Sequence, residues 1–176
     1  LPYKLEGAVN LESGLIASEL NDISVKNKEA GYDMTYLPKI MRVENTPLLS
    51  LDLDFVFSNP LVIQNSLVEL YLKGRGKVIG DLENIRPVGQ IDIEAIKSKF
   101  MFKGNDFVIS KGIVKFEDNQ RSGQINPSLM IVGQSTVGQH SVTVEVKGDT
   151  QNPIAELRSQ PALNQEDILS LLMIGI

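Results

Sequence analysis

Few residues in this 176-residue chain have the types and spacing that chemistry needs. Asp52 and Asp54 stand two apart in Leu51-Asp-Leu-Asp-Phe55. On a strand that spacing aims both carboxylates at one side, as a general acid–base pair requires. It equally describes the solvated outer face of a half-buried strand, which is the simpler expectation. Gly74-Arg-Gly-Lys-Val-Ile-Gly80 has the outline of a phosphate loop, but Ile79 sits where the third glycine belongs. No strand-to-helix switch follows it, so a nucleotide site is not expected. Lys73, Arg75 and Lys77 share a face and could meet lipid headgroups, although a plain hydrated face also explains them. His140 is the one histidine, so no His-based metal cluster can form, and a loop position is expected for it. A Ser-His-acid arrangement would depend on that same imidazole, and no serine sits in a nucleophile elbow. The chain has no cysteine, which removes disulfides, thiolate nucleophiles and Cys-ligated zinc together. The expectation is a non-enzymatic protein with no catalytic residue, cofactor or metal.

Composition agrees with a binding or structural role. With 42% hydrophobic residues the chain can bury a sizeable core, and its net charge of −5 makes it a poor generic ligand for nucleic acid. No apolar stretch reaches the roughly 18 residues that a membrane-spanning helix needs. The chain opens Leu1-Pro2-Tyr3 and stops at Ile176 within an apolar run, as an excerpt of a longer protein would. Any signal peptide or anchor is expected to lie outside it.

The elements that must carry these residues are mostly strands. Apolar residues recur at period two in Leu51, Leu53, Phe55 and Phe57, then in Val68, Leu70 and Leu72, and in Ile91 and Ile93. The pattern continues through Phe100 and Phe102, Phe107 and Ile109, Val114 and Phe116, Leu129 and Ile131, and finally Val142, Val144 and Val146. Alternation gathers each set on one face of a pleated strand. Glycine-containing breaks at 73–76, 103–106, 110–112, 133, 138 and 147–149 resemble turns, several short enough for hairpins. Asn59-Pro60, Arg86-Pro87, Asn126-Pro127 and Asn152-Pro153 each precede an apolar segment, as a proline at a strand's first position would. Leu5, Gly7, Val9 and Leu11 form one possible strand, while 15–30 mixes periods and fits a short helix or an irregular edge. Near the end, Asn164 is a candidate N-cap with Asp167 at N3 and Glu166 in the first turn. Ile168, Leu169, Leu171, Leu172, Met173 and Ile174 then cover nearly every face of a helix, which must be buried. Ile168, Leu169, Leu171 and Leu172 are expected to plug the sheet's apolar face. Three parts follow: 1–50 as a β or irregular part of one domain, 51–160 as its core sheet, and 161–176 as the helix.

Periodicity alone favours a sheet that folds over and fills itself. One set of motifs argues otherwise. Pro87-Val-Gly-Gln-Ile-Asp-Ile-Glu-Ala is followed by Phe100-Met-Phe-Lys-Gly-Asn-Asp-Phe-Val-Ile, Gly112-Ile-Val-Lys-Phe-Glu and Asn126-Pro-Ser-Leu-Met-Ile. Pro161 then leads to Asp167-Ile-Leu-Ser-Leu-Leu-Met-Ile-Gly175. In this order and spacing, residues from about Asp52 to Ile176 resemble the C-terminal region of the TamB family of AsmA-like envelope proteins, the inner-membrane subunit of a translocation and assembly module. The resemblance implies a mainly β fold: a curled, incompletely closed half-pipe with an apolar inner face and a short C-terminal apolar helix. It implies a periplasmic location within a longer, inner-membrane-anchored protein. It further implies phospholipid transport toward the outer membrane and, with an Omp85-family partner of the TamA type, assembly of β-barrel proteins and autotransporters. The cargo would be phospholipid acyl chains or nascent outer-membrane strands, lying on the twenty alternating residues named above from Leu51 to Val146. The competing expectation is a structural β-solenoid or passenger-like segment with a self-filled core.

Overall fold

The computed structural model describes residues 3–17, 49–81, 84–118 and 125–174. Most of the ambiguous 15–30 segment, and the closing Gly175-Ile176, lie outside them. The described chain is mainly β, with one short C-terminal helix. Its strands are β1 (Tyr3–Leu11), β2 (Gly14–Ile16), β3 (Leu49–Phe57), β4 (Leu61–Gln64), β5 (Val68–Asp81) and β6 (Ile85–Ile93). They continue as β7 (Lys99–Phe102), β8 (Asn105–Phe116), β9 (Ser128–Val137), β10 (His140–Asp149) and β11 (Pro153–Gln160), followed by α1 (Gln165–Ile174).

All eleven strands join one curled sheet that does not close into a barrel. The main path runs β1-β3-β5-β6-β8-β9-β10-β11. Only β1 on β3 and β2 on β4 are parallel; every other pair is antiparallel. The 14-residue β5 is the spine. It pairs with β3 along one half and β4 along the other, and on its far side with β6 and then β7. The chain breaks between β3 and β4 at Ser58-Asn-Pro60, and between β6 and β7 at Glu94–Ser98. These interruptions flank β5 at staggered positions, the first beside Lys73 and the second beside Leu70 and Tyr71.

Register explains the curl. Cross-strand partners put Leu51, Leu53, Phe55, Val78, Gly76 and Gly80 on one face with Ile91, Ile93, Gly112, Val114 and Phe116. Leu129, Ile131, Gly133, Val142, Val144, Val146 and Leu157 continue that face to β11. Of the expected glycine turns, only Lys103-Gly104 and Gly138-Gln139 are tight hairpin connections. At the first, Lys103 (φ 51°) and Gly104 (φ 79°) both adopt the left-handed conformation that a type I′ turn demands. The breaks at 73–76, 110–112 and 133 are not turns at all. They lie inside β5, β8 and β9 with their glycines on the concave face. A Cβ on Gly112 would meet Ile93 at 2.6 Å, and one on Gly133 would meet the Phe100 ring at 2.5 Å. Neighbouring side chains therefore fold over bare backbone, and the face can bend inward without crowding.

The expected separate segments Phe107–Ile109 and Val114–Phe116 belong to the single strand β8. A bulge between Ile109 and Lys111 shifts the pairing with β9. One extra residue reverses the alternation, so both apolar sets reach the same face. Pro60 and Pro127 lie just before β4 and β9, and Pro153 opens β11, as expected. Pro87 differs: it is the third residue of β6, beyond the stretch that pairs with β8, where a missing N–H leaves no ladder bond unmade. His140 is the first residue of β10, opposite Val137, rather than a loop residue.

Two clusters fill part of the concave face. In one, Phe107, Val137, Val142 and Val144 pack against Ile168, Leu171 and Leu172 of α1, with Phe100, Phe102, Val146, Leu157 and Leu163 at its margin. Phe100 stacks on Phe107 at 5.4 Å, and Phe102 meets Phe107 edge-on at 6.3 Å. In the other, Leu72, Ile93 and Ile109 pack with Leu61, Ile63, Leu70, Ile91, Phe100 and Ile131.

Candidate functional site

The helix forms where its cap says it should. The Asp167 N–H donates to Asn164 Oδ1 at 2.9 Å, and Asn164 Nδ2 donates back to the Asp167 carboxylate at 2.7 Å. Glu166 and Asp167 in the first turn complement the helix dipole. Its buried stripe is Ile168, Leu171 and Leu172, the i, i+3, i+4 spacing of a single face. Leu169 is only half-buried, and Met173 and Ile174 point to solvent. The expectation of burial on nearly every side is thus corrected: the sheet offers α1 one contact surface, and one stripe fills it. At the helix end, Asn105 Nδ2 donates to the Leu172 carbonyl at 2.7 Å. It also donates to Lys103 O in the β7–β8 turn at 2.9 Å. This amide satisfies one of the carbonyls that a helix C-terminus leaves orphaned.

The concave face is graded. Where α1 lies, it is sealed: Phe107, Val142 and Ile168 are 0% exposed. The middle, around Leu72, Ile93 and Ile109, is closed by side chains of the sheet itself. Away from α1 the lining is only half-buried, at Leu53, Phe55, Phe57, Val114, Phe116 and Leu129, while Leu51 keeps 9% exposure. On β1 the same face is open: Leu5, Val9 and Leu11 retain 47%, 43% and 42% of their surface. All twenty expected lining residues share this face, but sealed and open positions do very different work. Phe107, Ile109, Val142, Val144, Leu72 and Ile93 are core, with Phe100 and Phe102 packed at its margin. Val68, Leu70, Ile91, Ile131 and Val146 lie between the extremes.

Sequence reasoning missed Leu61, Ile63, Val78, Ile85, Val137 and Leu157 on the same face. Leu61 and Ile63 had the period-two signal in a four-residue strand. Val78 was hidden in the phosphate-loop outline, which lies wholly within β5.

The opposite face carries the charges. Lys4 and Lys77 each lie 2.8 Å from the Asp52 carboxylate, and Lys77 is 3.7 Å from Asp54. Hydrogen bonds from Lys4 and then Lys77 hold the Asp52 carboxyl down at about 2. Asp52 is thus a clamped anion, unsuited to exchanging a proton near neutrality. Of the basic trio, Lys73 pairs with Glu94 and Lys77 with Asp52, so two of three are already neutralised. Among the described residues no group of three His, Cys, Asp or Glu side chains could hold a metal ion, and no helix is long and apolar enough to cross a membrane.

An open, curled β-sheet whose apolar inner face is partly stoppered by its own C-terminal helix defines a half-pipe class of β-rich module rather than a closed sandwich. The family model described as the TamB C-terminal domain matches residues 5–175, and the chain belongs to that family. The match includes β1 and β2, beyond the stretch from Asp52 in which the resemblance was legible. Membership places the domain in an envelope protein of the translocation and assembly module, associated with the machinery of outer-membrane assembly. No curated protein matches the chain.

Proposed function

We propose that this domain is a non-enzymatic carrier surface in the periplasm, part of a longer inner-membrane-anchored protein, which shelters apolar cargo on its concave face. The observation that carries this reading is the apolar, incompletely buried lining at Leu53, Phe55, Phe57, Val114, Phe116 and Leu129, continuous with exposed Leu5, Val9 and Leu11. Each large side chain left in water forgoes about 1.5–3 kcal/mol. A chain that needs burial but no directional bonds suits such a surface, so phospholipid acyl chains in transit to the outer membrane are the primary cargo. Nascent outer-membrane strands, including those of β-barrels and autotransporters, are the second. The unpaired edges of β1 and β11 among the described residues support that role through strand addition. An Omp85-type outer-membrane protein is the receiving partner. A photo-crosslinking residue at Leu53, Phe55 or Phe116 in cells is expected to capture phospholipid or barrel strands, while Asp54 and Lys115 positions capture neither. Equal capture from both faces, or capture only from the outer one, sinks the proposal. The rival structural reading draws on the sealed cluster under α1. It requires the remaining lining to be covered as well, and then no position captures cargo.

A further inference from the structure

The outer face is not uniformly polar. Register aligns Ile113 of β8, Met130 of β9, Lys147 of β10 and Ile154 of β11 in one row across four strands. The next row brings together Lys111, Val132 and Glu145. A cleft of about 630 Å³ lies here, bounded by Lys111, Ile113, Lys115, Met130, Lys147 and Asp149. Its floor is aliphatic, on the side where a half-buried sheet normally presents polar groups to water. Ile154, at the open edge, is 64% exposed.

The charges around it are unbalanced in one direction. Lys111 and Lys115 form no close ion pair with any described residue, although Lys111 lies near enough to Glu145 to help hold that carboxyl low, and Lys147 pairs along its own strand with Glu145 at 2.8 Å. The nearby acids are engaged. Asp149 accepts the N–H groups of Gln151 and Asn152, both at 2.8 Å, and Asp118 holds Arg86 at 2.8 Å. Lys111 and Lys115 flank Ile113 and stand four residues apart on one strand, about 13 Å.

We propose that this outer-face cleft over β8–β10 docks an extended acidic protein segment, with two carboxylates meeting Lys111 and Lys115 and an aliphatic side chain between them on Ile113 and Met130. The complement is a short acidic–apolar–acidic alternation. A planar anionic membrane fits less well. Asp118, Glu145, Asp149 and Glu156 rim the patch, and the chain's net charge is −5, so a flat anionic surface meets repulsion on every side of the lysines. A narrow segment reaches the lysines and avoids the rim.

Panning a random 12-residue peptide display library on the intact chain, with counter-selection on K111E/K115E, tests this. The selected peptides are expected to carry Asp or Glu flanking an aliphatic residue. Binding of a synthetic representative should weaken more than about tenfold in K111E/K115E and in I113N, and fall as salt rises. Ile96→Ser, at a largely exposed position between β6 and β7 that belongs to neither face's proposed site, should leave it unchanged. Circular dichroism of each variant separates misfolding from lost docking, and K111A/K115A supplies a milder pair at the same exposed positions. Failure to enrich any lysine-dependent peptide overturns the proposal. So does a pool without acidic bias. Lysine-dependent binding to vesicles of 70% phosphatidylethanolamine and 30% phosphatidylglycerol, in place of peptide, overturns it in favour of a lipid surface.

Discussion

At the scale of single residues, the concave glycines separate space from conformation. Gly133→Ala should cost about 1–3 kcal/mol, because its new Cβ would enter the Phe100 ring, which is pinned between Gly133 and Phe107. Gly7→Ala, with nothing within 4 Å of the added carbon, should be nearly neutral. Urea unfolding of both variants checks the contrast, and equal losses would mean that contact with neighbouring strands is not what fixes these glycines. Asp52 supplies a pH signature. Its folded-state carboxyl lies at about 2, below the ordinary 3.8, since Lys4 and Lys77 bind the anion. A group held lower in the folded state contributes stability above its unfolded value and loses it as pH falls through the folded one. The stability gap between the wild type and Asp52→Asn should therefore shrink from pH 4 toward pH 2. Glu69, Glu94, Glu145 and Asp149 are also held low and add acid sensitivity of the same sign. A carbon-detected titration of Asp52 in the Lys4→Ala variant should show its midpoint moving up.

Elements respond to different forces. Ile168→Ala removes a fully buried side chain from the joint between α1 and the sheet, and a loss of about 2–5 kcal/mol is expected in chemical denaturation. Asn164→Ala removes the cap and should cost about 0.5–2 kcal/mol. Helix existence and its cap were legible, because capping and helical spacing are local; which of its apolar sides would be buried was not, because that depends on the one surface the sheet offers. The strands were legible because alternation is local too: Leu51–Phe57 and Val142–Val146 alternate without interruption. Two further things were not. Glycines 74, 76, 112 and 133 looked like turns, since a single strand does not reveal that Phe55, Ile91, Ile93 or Phe100 will lean across from its neighbour. The continuity of β8 was also hidden. A bulge at Ser110 swaps odd for even, and a swap of parity looks like an ending until the partner strand is known. The division of the lining into core and open positions depends on where α1 docks, some 60 residues from Phe107 in sequence, and no local pattern encodes that.

For the molecule as a whole, the gradient from sealed to open matters most. The chain contains no tryptophan, so one introduced indole reports on its surroundings alone. Phe116→Trp, on the half-buried lining, should shift its emission to the blue when lysophosphatidylcholine is added below its micelle concentration. Lys115→Trp, one residue away on the other face, should not. Parallel shifts at both positions would place the detergent on the sheet indiscriminately. The bare backbone at Gly74, Gly76, Gly112 and Gly133 has a last consequence. The bore of this half-pipe is set by side chains that are missing, so its width at any point is written in one-letter changes to or from glycine. A related sequence could flare or pinch the trough station by station, leaving strand number, pairing and surface charge untouched.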